Sequence, residues 1–164
     1  MDEQRLSAPK IAPDGYKALR GVEVYLHHCG LEKPLIELVK MRASQINGCA
    51  YCLDMHSKDA RANGETEQRL YGLEAWRETP YYSERERAAL EWTEALTLVS
   101  ETHVPDEVFE RVRTQFSEQE LAHLSLAIVA INGWNRLNVA ARTVPGGYVA
   151  GSVPALQAAS GSHA

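Results

Sequence analysis

Apolar positions along this chain recur at intervals of three and four, the spacing that lines one face of an α-helix, and no stretch shows a convincing strand-like period of two. Proline and glycine divide that pattern into elements. A first helix is predicted from Pro13-Asp14 to Cys29, where Gly30 supplies the stop. A second runs from about Pro34, a good first-turn residue, to Ile46, and breaks at Asn47-Gly48. A third starts at the cysteines Cys49 and Cys52 and ends at Asn63-Gly64, and a fourth covers about Glu65 to Arg77. Ser83-Glu84-Arg85-Glu86 and Ser117-Glu118-Gln119-Glu120 match the capping box, in which Ser and Glu satisfy each other's backbone donors. Phe116 and Leu121 add a hydrophobic staple to the second, and Pro105 opens a short helix to about Gln115.

The buried faces can be read from the same periodicity. Ala88, Trp92, Ala95, Leu96 and Val99 form one stripe, and Leu121, Leu124, Ile128, Ile131 and Trp134 form another. Residues 124–131 are apolar on nearly every side, as expected of a central helix or a subunit contact. From Thr143 onward, Val-Pro-Gly-Gly and Ala-Ala-Ser-Gly-Ser predict a loose tail or an arm laid on a neighbour. No repeat or second-domain linker interrupts the pattern. The expectation is an all-α chain, with a single helical domain over residues 1–142 and a tail over 143–164.

Composition narrows the function classes. The 164 residues are 45% apolar and 24% charged, as in an ordinary globular protein, and carry a formal charge of −5. That balance gives no support to binding nucleic acid or an anionic membrane, both of which favour clustered Lys and Arg. The charged start, Met1 to Arg5, is followed by no apolar core of a signal peptide, and the apolar run at 124–131 is too short to span a bilayer. A cytoplasmic protein is expected. Three cysteines do not make a disulfide scaffold, and in a reducing compartment a Cys-x-x-Cys points to catalysis or metal binding. Cys29 reads as a small apolar filler near a helix end.

The chemistry concentrates in Cys49-Ala50-Tyr51-Cys52-Leu53-Asp54-Met55-His56. On a helix, at about 100° per residue, Cys49, Cys52 and His56 fall within roughly 60° of one another. Thiols in a first helical turn face unpaired N–H groups and the positive end of the dipole, which favour thiolate over thiol. His56, one turn beyond Cys52, can take up the thiol proton or donate one to a leaving group. If Asn47-Gly48 folds the second helix back on the third, Glu37 and His56 reach similar heights, and Glu37 can orient the imidazole. Zinc is a competing use of Cys49, Cys52, His56 and Glu37, weakened by the lack of a second Cys/His cluster. The remaining histidines, His27, His28, His103, His123 and His163, have no comparable partners and read as structural or surface residues.

These residues resemble the alkylhydroperoxidase AhpD-like family, within the wider carboxymuconolactone decarboxylase superfamily. Glu37, the run Arg42 to Cys52 and Asp54-Met55-His56 carry the resemblance. It continues through Glu65 to Leu70, Glu84 to Leu90 and Asn132-Gly133-Trp134-Asn135-Arg136, and so covers most of residues 15–142. It implies an all-helical antioxidant enzyme that assembles as a homotrimer or homohexamer and needs no cofactor or metal. By that resemblance, Cys52 attacks an alkyl hydroperoxide, Cys49 resolves the sulfenic acid as a disulfide, and a dithiol reductant of the lipoyl type restores the thiols. His56 and Glu37 would form the proton relay. The best-known peroxidase of that family has a second His between its cysteines, where this chain has Tyr51, a poor proton acceptor near neutral pH. Thiol-disulfide exchange with little peroxide turnover is the nearest competing activity. Lactone decarboxylation, the other side of the superfamily, is disfavoured by the paired thiols, and a redox sensor or zinc-stabilised module is the non-enzymatic alternative.

Overall fold

A computed structural model describes residues 4–152, and over these the backbone is helices joined by short turns, with no strand among the described residues. A short helix α1 (Ala8–Ile11), absent from the sequence reading, leads into α2 (Pro13–His28). Next come α3 (Lys33–Ile46), α4 (Ala50–Ala62) and α5 (Glu67–Gly72), then a 3-10 turn (Leu73–Glu78). After it follow α6 (Glu84–Thr97), α7 (Val99–Thr102), α8 (Asp106–Arg113) and α9 (Glu118–Ala141). The tail residues beyond Ser152 lie outside the described residues.

Both capping boxes are formed. Ser83 accepts from Glu86 N–H and Ser117 from Glu120 N–H, while each glutamate carboxylate accepts from the serine N–H at 2.8 Å. They start the two helices that, with α3, enclose the main core. Leu35, Val39, Ala89, Trp92, Leu124 and Ile128 meet there, all less than a tenth exposed. Full burial of each such aliphatic side chain stabilises by about 1.5–3 kcal/mol relative to exposure. Helix α9 is therefore central, although its outer edge leaves Leu126 and Val129 open to solvent, at 41% and 64% exposure.

Three boundaries differ from the sequence reading. The helix expected over Glu65–Arg77 begins at Glu67 with Thr66 as its cap and gives way to the 3-10 turn after Gly72. Ala75 leaves helical geometry there, and the Arg87 guanidinium takes the carbonyls of Trp76, Arg77 and Thr79. The guanidinium thereby holds the end of the turn against α6. Val99, expected on the buried stripe of α6, is half exposed because the chain breaks at Leu98 and restarts as α7. Trp134, expected in the core, lies at its border, with its edge against Tyr16 and its N–H on Glu23.

The turn that positions the site lies between α3 and α4. Asn47 ends α3, and Gly48 adopts φ +64°, a left-handed conformation that favours glycine. The chain then reverses, and Cys49 N–H returns to the Ser44 carbonyl at 3.0 Å. Two antiparallel helices thus face each other along their length, with Cys49 at the start of the second.

Candidate active site

Cys49 is the N-cap of α4, and its Sγ accepts the Cys52 N–H at 3.4 Å. A sulfur here takes the place of the oxygen that Ser or Asp supplies in an ordinary cap, and it sits where the first-turn amides converge. Both thiols are free and almost fully enclosed, Cys49 at 1% exposure and Cys52 at 0%. Ala43 of α3 and Ile131 of α9 wall the pair, with Tyr51 and Trp134 packed at the border.

One negative charge is favoured on this pair, and it lies on Cys49. Donation from the Cys52 thiol, outweighing burial and aided by the Cys52 backbone N–H, the Asn135 amide and the Tyr51 N–H, pulls Cys49 down to about 7. Cys52 is pushed up because its proton is committed to Cys49 and burial disfavours a second charge beside the first. Asn138 Nδ2 lies 3.6 Å from the Cys52 sulfur and lowers it in partial opposition. The resting thiolate is thus at Cys49, and the proton is on Cys52, the thiol in helical register with the histidine.

His56 lies one turn beyond Cys52 on α4, buried, with Nδ1 2.9 Å from Glu37 Oε2 on α3. The hairpin brings them together. Burial opposes ionisation of Glu37, but the facing imidazole and nearby Lys40 overcome it and hold the carboxyl below its usual range. Lys40, itself buried, remains an ammonium: desolvation is outweighed by Glu23, at 2.7 Å, and by Glu37 and Asp59. Glu23 also accepts the Trp134 indole N–H at 3.0 Å. A chain of alternating charge therefore runs from α2 through α3 to the imidazole.

Sequence reasoning singled out Glu37, Cys49, Cys52 and His56, and the structure gathers all four along the α3–α4 hairpin. It missed the polar scaffold that holds them. Asn135, fully buried, donates to Ser44 Oγ at 3.0 Å and accepts from Asn47 at 2.9 Å, while Asn132 accepts from Asn47 at 3.0 Å. These bonds tie α9 to the turn before Cys49. A signal was present: Asn132, Asn135 and Asn138 recur every third residue on an otherwise apolar helix, where the cost of burying an amide demands partners. Lys40, Asp59 and Tyr148 were also missed.

Glu37, His56 and Asp59 place potential ligand atoms within 4.8 Å of one another. The cysteines are not part of that group, so the four-ligand zinc arrangement weighed from the sequence does not assemble among the described residues. Lys40 already brings positive charge to both carboxylates, and the Tyr148 hydroxyl engages both oxygens of Asp59. The group reads as a closed network of charge and hydrogen bonds.

Residues 12–95 match the carboxymuconolactone decarboxylase family. YdfG of Bacillus subtilis, a protein without an assigned function, is 47% identical over 137 residues, which span 84% of this chain and 93% of YdfG. Among solved structures, the fold superposes on ATU0492 of Agrobacterium tumefaciens, a protein of unknown function and candidate antioxidant defence protein AhpD. The TM-score is 0.86 at 44% identity, covering 88% of this chain and 99% of that one. The debrominase Bmp8 shares the fold alone, at a TM-score of 0.71 and 23% identity over 82% of this chain and 73% of that one. With its enclosed Cys-x-x-Cys at a helix N-terminus, this chain belongs to the carboxymuconolactone decarboxylase family, as an AhpD-like member.

Proposed function

We propose that the protein is a thiol peroxidase that reduces alkyl hydroperoxides through a Cys49–Cys52 disulfide cycle. The observation that carries this reading is geometric: two enclosed thiols within one helical turn, with His56 one turn beyond Cys52 and bonded to Glu37; the surroundings favour the charge on Cys49 and the proton on Cys52. His56 takes one proton of the dithiol; the proton that remains passes from Cys52 to Cys49, so the pair keeps a single charge, and the Cys52 thiolate attacks the terminal oxygen of the hydroperoxide. The O–O bond breaks, Cys52 becomes a sulfenic acid, and the alkoxide leaves as the alcohol with the proton from His56. Cys49 then attacks the Cys52 sulfur as its own proton passes through His56 to the departing hydroxide; the S–S bond forms, the S–O bond breaks and water leaves. Two thiols and one hydroperoxide thus give one disulfide, one alcohol and one water. A dithiol of the lipoyl class reverses the oxidation by exchange.

Glu37 keeps the imidazole oriented and balances the charge it carries between the two transfers. Ala43, Tyr51, Ile131 and Trp134 pack around the sulfurs, so a hydroperoxide meets them through its terminal oxygens. Tyr51 lines this border instead of serving as a proton acceptor, so proton traffic falls on His56 alone of the two positions.

A second reading, thiol-disulfide exchange without substantial peroxide turnover, is favoured by the charge on Cys49, because the first thiol of a helix-capping pair is then the ready nucleophile. Steady-state consumption of cumene hydroperoxide, with dihydrolipoamide as reductant, separates the two. The peroxidase reading expects peroxide-dependent oxidation of the dithiol that is lost in Cys52→Ser. Exchange alone predicts reduction of small disulfides with no peroxide consumption.

A further inference from the structure

The segment leaving α9 folds back along α4. Gly146 N–H donates to Asp54 Oδ2 at 3.0 Å. Lys58, paired with Asp54 at 2.9 Å, donates to the carbonyls of Gly146 and Tyr148 at 3.3 and 2.9 Å. Further along the helix, the Tyr148 hydroxyl donates to Asp59, lying 2.8 and 2.9 Å from its two oxygens. Asp59 follows His56 by three residues, and facing atoms of Glu37, His56 and Asp59 lie within 4.8 Å of one another. One imidazole therefore has two carboxylates at hand, Glu37 from α3 and Asp59 from its own helix. Its Nδ1 bonds to Glu37.

Two carboxylates beside one imidazole compete to orient it, and a carboxylate whose lone pairs lack other donors is the stronger competitor. We propose that Tyr148 decides this competition: by engaging both oxygens of Asp59 it keeps that carboxylate off the imidazole and reserves His56 Nδ1 for Glu37. Tyr148 is a positioning residue, acting through Asp59 and His56 on the proton relay. The phenol suits the task, because burial, and next its bond to Asp59, push its ionisation upward and keep the donor proton in place. The charged groups around it come from each neighbouring element: Glu23 of α2, Glu37 and Lys40 of α3, and Asp54, His56, Lys58 and Asp59 of α4. Lys40 attracts both Glu37 and Asp59 and so does not choose between them; the hydroxyl of Tyr148 does.

Tyr148 matters in this way only if His56 and Glu37 serve the thiols as proposed above. The experiment is the rate of thiol oxidation by cumene hydroperoxide across pH 5–9, in the wild type, Tyr148→Phe, Asp59→Ala, the double variant and His56→Gln. Phenylalanine keeps the ring, and the backbone of residue 148 keeps its bond to Lys58. Tyr148→Phe is expected to slow oxidation by about tenfold, a fraction of what a positioned acid–base group contributes, and to alter the pH profile. In the Asp59→Ala background the same substitution is expected to change the rate less than about twofold, because the competitor is gone. An unchanged rate in Tyr148→Phe, or an equal slowing with and without Asp59, would overturn the positioning role and leave Tyr148 as an anchor of the arm. If His56→Gln oxidises at the wild-type rate, the relay itself is wrong and the role of Tyr148 falls with it. A melting temperature lowered by Tyr148→Phe does not blunt the test, since its effect is read against Asp59→Ala.

Discussion

At the scale of single residues, two sulfurs three positions apart behave as unlike groups because the helix start treats them differently. Cys49 meets convergent donors, whereas Cys52 keeps its proton and donates it in a hydrogen bond to its neighbour. Cys49 titrates at about 7 in the folded chain against 9.0 for an unperturbed thiol, so the folded state releases this proton first. Its stabilising contribution is fully present above pH 9 and is lost as pH falls through about 7. The full swing is about 2–3 kcal/mol. Denaturant melts of the reduced protein at pH 6 and pH 8.5 are expected to show higher stability at pH 8.5, with that gain abolished in Cys49→Ser. Alkylation of the pair is likewise expected to rise through pH 7. That Cys49, Cys52 and His56 lie together was legible because they share a helical stripe. The allocation of charge between the sulfurs was not, because it depends on amides and on Asn135, which arrives from 86 residues beyond Cys49.

At the scale of elements, local signals and long-range contacts divide the credit. The capping boxes at Ser83 and Ser117 involve four consecutive residues each, so sequence alone could locate them, and both are formed. Ser117→Ala removes the acceptor for Glu120 N–H and is expected to cost about 1 kcal/mol, seen as a melting temperature lower by about 2–6 °C. The kink after Gly72 carries no local break signal downstream of that glycine, and the side chain that bonds the carbonyls beyond it, Arg87, lies on another helix. Asn135 joins α9 to the turn before the cysteines. Asn135→Ala leaves the Ser44 hydroxyl and the Asn47 amide without this partner in a buried setting, at an expected cost of about 2–3 kcal/mol. Thermal melts check the cost, and faster hydrogen exchange at Cys49 N–H checks that the turn is what loosens.

At the scale of the molecule, a helical bundle encloses both thiols, and in the proposed cycle protons pass along the α3–α4 hairpin, against which the segment 146–148 is hydrogen-bonded. The fold class was legible from periodicity, and the role of the arm was not: Tyr148 and Asp59 are 89 residues apart, and the arm has no helical pattern to read. No described helix is long and apolar enough to cross a membrane. Helix α9 nevertheless leaves Leu126 and Val129 exposed beside its buried face. We propose that this edge joins copies of the chain into the trimer or hexamer expected from the family resemblance. Light scattering is expected to give a mass of three or six chains, reduced by Val129→Lys; a monomeric wild type would contradict it.

The most direct measurement is a single turnover. Reduced protein is mixed with one equivalent of an alkyl hydroperoxide in a stopped-flow cell, quenched, and its peptides mapped by mass. The predicted result is fast loss of both thiols with a Cys49–Cys52 disulfide as product, and a trapped sulfenic acid at residue 52 when Cys49 is replaced by Ser. Thiols that survive the peroxide, or a sulfenic acid that forms first at Cys49 in Cys52→Ser at the wild-type rate, would contradict the account.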